Sequence, residues 1–141
     1  MQWIDALEGI SYLSVLAGVV TSIVTGFLWY SPGAFQNQWA KLVGLKRSEL
    51  ENKGAMQVLF GTSIMFYTVV SVVIALLLEM TGSMDFSSGL LMGVILGFAF
   101  GFGPMAVTYT IARRKFDLAL IDGGYVVVTC AAIGAIIGYL G

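Results

Sequence analysis

No charged residue occurs between Gly9 and Ala40, between Gly54 and Leu78, between Phe86 and Ala112, or between Gly123 and Gly141. A helix needs about 20 consecutive apolar residues to cross the hydrocarbon core of a bilayer. Each window is that long or nearly so, which predicts spans near Ile10–Tyr30, Ala55–Leu78, Phe86–Ala112 and Leu120–Leu140. A membrane β-barrel would instead show alternating segments of about 10 residues, and none are present. The expected fold is an all-α membrane protein: four transmembrane helices as two helical hairpins, forming one domain over residues 1–141. Composition agrees. Hydrophobic residues make up 58% of the chain and charged ones 11%, against about a quarter charged in soluble domains, so a water-facing surface could not be covered.

The placement of charge also predicts direction. All seven basic residues fall in two loops: Lys41, Lys46, Arg47 and Lys53 after the first span, and Arg113, Arg114 and Lys115 after the third. Short loops rich in Lys and Arg stay in the cytoplasm, so both loops are expected there and both termini outside. The acidic leader Met1–Glu8 has no basic residue, and no small-residue cleavage site follows the first span. A retained helix is therefore expected rather than a signal peptide.

Between the first two spans, Trp29-Tyr30-Ser31-Pro32 reads as an aromatic interface anchor and turn, or as part of a functional motif. Phe35, Trp39, Leu42 and Val43 then recur at helical spacing, predicting a short amphipathic helix in the interface, closed by Gly44. Ser48-Glu49-Leu50-Glu51 resembles a capping box that would start the second span.

Small residues form ridges on three spans: Ser14, Gly18, Ser22 and Gly26; Gly89, Gly93, Gly97 and Gly101; Cys130, Gly134 and Gly138. Such ridges let backbones approach closely. Close helix packing within the chain or between copies is one reading, and a glycine-lined pore the other. Gly103-Pro104 predicts a kink near Phe100, whose freed carbonyls either bind a polar ligand or are satisfied by neighbours.

Candidate chemistry is sparse. The chain has no His and one Cys, Cys130. No phosphate-binding loop, catalytic triad or metal-ligand cluster can be read, so neither an enzyme, a cofactor, a metal nor a nucleic-acid partner is expected. Asp122, ahead of Gly123-Gly124-Tyr125, reads either as the cap of the fourth span or as a ligand or proton-carrying group. Asp117 reads as a solvated ion pair with Arg113 or Arg114. Span two offers hydroxyls at Thr62, Ser63, Thr68 and Ser71, and span three at Thr108, Tyr109 and Thr110. They bond within their helices, across to neighbours, or line a polar path.

Trp29-Tyr30-Ser31-Pro32, Phe35, Trp39 and Gly44-Leu45, followed later by Arg113-Arg114-Lys115 and Leu120-Ile121-Asp122-Gly123-Gly124-Tyr125, resemble the two signatures of a family of small bacterial membrane proteins. That family is catalogued as domain of unknown function 1761. The resemblance spans nearly the whole chain and implies four transmembrane helices in a bacterial inner membrane, with no activity attached. Family members commonly carry Gly, Asn and His where this chain has Gln36, Asp122 and Val126. An amide at position 122 would favour hydrogen bonding or capping over obligatory proton transfer.

Two functions follow as expectations. One is a small transporter or channel acting as a homo-oligomer, motivated by the glycine-rich third span. A faint echo of Gly26-Phe27-Leu28-Trp29 in Gly97-Phe98-Ala99-Phe100 adds to it, since parallel repeats are a transporter device. The other is a non-transporting protein that binds lipid or a membrane assembly, with anionic headgroups at the basic, Trp-bearing loops.

Overall fold

The structure, a computed structural model, describes residues 2–141 apart from the side chain of Arg47; Met1 of the leader lies outside the described residues. The leader is itself helical, α1 (Gln2–Gly9), and packs against the far end of the second span. The first span is α2 (Tyr12–Trp29), started by Ser11, whose hydroxyl accepts the Ser14 N–H at 3.3 Å. It stops where Pro32 disfavours helical geometry at Ser31.

The amphipathic pattern forms α3 (Gln36–Val43), closed by Gly44 at φ +82°, a left-handed position that glycine adopts without strain. The capping box starts a different helix from the one expected. Glu49 accepts the Lys46 N–H at 2.7 Å across the single turn α4 (Arg47–Leu50). The second span, α5 (Lys53–Thr81), begins instead on Asn52, whose Oδ1 accepts the Ala55 N–H at 3.0 Å. At 1.5 Å per residue α5 is about 44 Å long, well beyond the hydrocarbon core of about 30 Å.

The third span is α6 (Phe86–Leu96), capped by Asp85, followed by a widened π turn (Gly97–Phe102) and α7 (Gly103–Ile111). The kink expected near Phe100 takes this form. Pro104 has no N–H to give the Phe100 carbonyl, and the Gly103 N–H reaches back five residues to Phe98. The fourth span, α8 (Phe116–Leu140), starts four residues earlier than the expected Leu120, well ahead of the charge-free window that opens at Gly123. Asp122 therefore lies about two turns inside the helix, and the capping reading is wrong: the cap position is Lys115. Nor does an ion pair join Asp117 to Arg113 or Arg114 among the described residues.

Four helices are thus long and apolar enough to cross a membrane, and among the described residues there is no strand. Helix α8 is central, packing on α2, α5 and α6 and on the π turn and α7. Its contact with α6 is backbone on backbone. A Cβ at Gly89 would overlap the Gly134 carbonyl, one at Gly93 the Cys130 carbonyl, and one at Gly138 the Asp85 carbonyl. A Cβ at Gly97 would come within 2.9 Å of Val127 Cα, and one at Gly101 would overlap the Val126 side chain. These glycines serve one seam inside the chain. Ile74, Leu78, Ile133 and Ile137, fully enclosed, fill the space between α5 and α8 at the end away from the basic loops. Outward-facing apolar side chains such as Leu16 and Val20 on α2, Phe66 and Val69 on α5, and Leu91 and Val107 on the third span are left exposed, as lipid contact requires.

Candidate functional site

The basic-loop end of the bundle brings α2, α7 and α8 together around one carboxylate. Asp122 Oδ1 accepts a hydrogen bond from the Tyr30 hydroxyl at 2.6 Å, and Oδ2 accepts one from the Tyr109 hydroxyl at 2.7 Å. Both are at the short end for hydroxyl–carboxylate bonds, the range of charge-assisted contacts. A phenol titrates near 10 in water, so at neutral pH both tyrosines are donors. An ionised carboxylate has about four lone-pair sites. Two are taken here, and one on each oxygen is left over. Asp122 is half-buried.

A second bond fixes the helix ends. The Trp29 indole Nε1 donates to the Ile121 carbonyl at 3.0 Å. Its ring lies over Gly124, where a Cβ would come within 3.2 Å of Trp29 Cζ2; the small residue gives the indole its seat. Its neighbour Gly123 makes the same room for the Phe102 ring.

Aromatic rings surround the carboxylate. Tyr30 meets Tyr125 edge-on at 5.1 Å between centroids, and Trp39 of α3 at 5.7 Å. Trp29 packs on Phe35 at 4.7 Å. Tyr125 in turn meets Tyr67 of α5 at 6.1 Å, and its hydroxyl fits over Gly26, where a Cβ would lie 3.2 Å away. A line of tyrosines thus runs from Asp122 into the interior between α2, α5 and α8.

Of the residues singled out from sequence, Trp29, Tyr30, Phe35, Trp39, Asp122, Gly124 and Tyr125 converge here, although 92 positions separate Tyr30 from Asp122. Ser31 does not take part: its hydroxyl closes α2 by donating to the Leu28 carbonyl at 2.8 Å. Pro32 and Pro104 are exposed and outside the cluster. Gly89, Gly93, Gly97, Gly101, Gly134 and Gly138 lie along the α6–α8 seam rather than on a polar path. Tyr109 was visible only as one hydroxyl among several, and Tyr67 carried no signal beyond being an aromatic in a span. Among the described residues no group of His, Cys, Asp or Glu is placed to hold a metal ion.

The fold and this cluster define a four-span helical membrane protein whose first, third and fourth spans are clasped at one end by a carboxylate between two phenols. The chain belongs to the family described as protein of unknown function (DUF1761), which matches residues 13–138. No curated protein and no solved structure matches it.

Proposed function

We propose that this protein is a small oligomeric transporter or channel for a monovalent cation, protons included, and that Asp122 is the group the solute meets first. The observation that carries this reading is the Asp122 carboxylate, set about two turns inside a spanning helix and held by Tyr30 and Tyr109. A charge at that depth is expensive, and such groups commonly mark ion or proton paths. Its free lone pairs suit a cation, and the faces of Tyr30, Tyr125 and Trp39 favour positive charge as well. In this reading the basic loops face the cytoplasm and both termini lie outside a bacterial inner membrane, which the excess of Lys and Arg in those loops supports. Four helices enclose little polar volume, so the path is completed between copies of the chain.

The test is flux into proteoliposomes under a proton or alkali-cation gradient. Wild type should exceed empty vesicles, and Asp122→Asn should lower the flux at least tenfold while the protein still folds. Wild-type flux equal to that of empty vesicles would end the transport reading.

A second reading rests on a different feature. An open cleft of roughly 420 Å³ lies along α3, lined by Pro32, Gln36, Asn37, Ala40, Lys41, Leu45 and Leu50. Two amides and an ammonium group at the interface suit an anionic lipid headgroup. Trp39 fluorescence should then respond to anionic but not zwitterionic vesicles, and equal responses would dismiss lipid recognition.

A further inference from the structure

Hydroxyls in membrane helices usually return to a carbonyl of their own helix, and here Thr21, Thr25, Thr68, Thr108 and Thr110 each donate to the carbonyl four residues back at 2.6–3.0 Å. Ser71 of α5 and Thr129 of α8 do not. Both side chains are fully enclosed, and neither Ser71 Oγ nor Thr129 Oγ1 makes a hydrogen bond of ordinary length and angle, although the Tyr67 hydroxyl lies near enough to Thr129 to interact with it. Buried polar groups without partners are rare, because the group loses its water and gains nothing in return.

The two hydroxyls share a level in the bundle. Helices α5 and α8 run in the same direction, and Tyr67 meets Tyr125 across them. Ser71 and Thr129 each follow those tyrosines by four residues, one helical turn. Facing Ser71 on α2 is Gly18, where a Cβ would come within 2.7 Å of Ser71 Oγ; one turn along, the Ser22 hydroxyl donates to the Val19 carbonyl at 2.6 Å. One turn further on, the seam becomes wholly apolar at Ile74, Leu78, Ile133 and Ile137. Polar groups therefore run inward from Asp122 through Tyr30, Tyr125 and Tyr67, and end at these two hydroxyls beneath an apolar plug.

The geometry points to an internal water site at this dead end, with Ser71 Oγ and Thr129 Oγ1 as its two protein ligands. Buried waters are held by 2–4 polar partners of this kind. An uncharged occupant fits a site lined only by hydroxyls, with no carboxylate or cation on the adjoining turns of α2, α5 or α8. The column then acts as a hydrated half-channel, open toward Asp122 and closed by the plug. This direction rests on the transport reading, whereas the occupant does not.

Ser71→Ala and Thr129→Val, nearly isosteric, test it without flux. If both hydroxyls hold one water, each variant lowers the Tm of the purified protein, and the double variant falls by clearly less than the sum. A labelled Thr129 methyl in nanodiscs should also show a water cross-peak that Ser71→Ala removes. An unchanged or raised Tm in both single variants would mean that the hydroxyls are orphans, and the water site would be lost. Absence of the cross-peak in wild type would overturn it equally. Neither result bears on whether the protein moves cations.

Discussion

Inside a spanning helix, two phenols from other helices give the Asp122 carboxyl hydrogen bonds in place of the water it gives up. Tyr30→Phe and Tyr109→Phe each remove one hydrogen bond to a charged acceptor, a contact that contributes about 1.5–3 kcal/mol. Each variant is expected to lower stability by that order in detergent unfolding, with the double variant departing from additivity because both act on one carboxylate. Equal stability of all three proteins would show that the bonds are incidental. The same residue explains what sequence could not show. The charge-free window opens at Gly123, so Asp122 looked like a helix start, yet Phe116, Leu118, Ala119, Leu120 and Ile121 already form the first turns of α8. An acidic residue marks a boundary only when nothing in the fold hydrogen-bonds it, and the hydroxyls that do so here lie 92 and 13 residues away.

Among the helices, the tightest pairing is α6 on α8, and it leaves no space for a methyl group. Gly93→Ala drives a Cβ into the Cys130 carbonyl, backbone that cannot step aside, and is expected to destabilise by about 1–3 kcal/mol or more. Gly61 is the contrasting case. It sits within α5 with nothing within 4 Å of a built Cβ, so Gly61→Ala is expected to stabilise by about 0.5–1 kcal/mol through helix propensity. Thermal unfolding of the two variants side by side checks both signs. The ridge itself was legible, since glycines four apart have little other use in a helix. Its partner was not, because spacing marks a face without saying what covers it. The start of α5 was misread for a related reason: Glu49 and Asn52 are both good capping residues, and only the chain path decides which helix each one starts.

At the level of the whole molecule, α8 forms the axis and the third span lies at the rim, with only 11% of its most apolar stretch buried against 44% for α8. The number of spans could be read directly, because length and lack of charge are what a bilayer demands. Which span is central could not. Lipid tails are as apolar as a protein core, so a membrane helix shows no polar face to mark its outside. The orientation inferred from the basic loops has a plain check: a topology reporter fused at Gly141 should be active only outside the cytoplasm, and cytoplasmic activity would invert the assignment.

The π turn at Gly97–Phe102 holds one residue more than regular winding would use. Each residue of an α-helix turns the chain by about 100°. The widened turn spends one extra residue on nearly the same sweep, so a single deletion within it would restore regular winding and leave Tyr109 facing Asp122. A deletion within the regular α6 would instead turn everything beyond it by that amount and carry Tyr109 away. The extra residue is thus absorbed without cost to the phase of either half, and both stay turned toward α8.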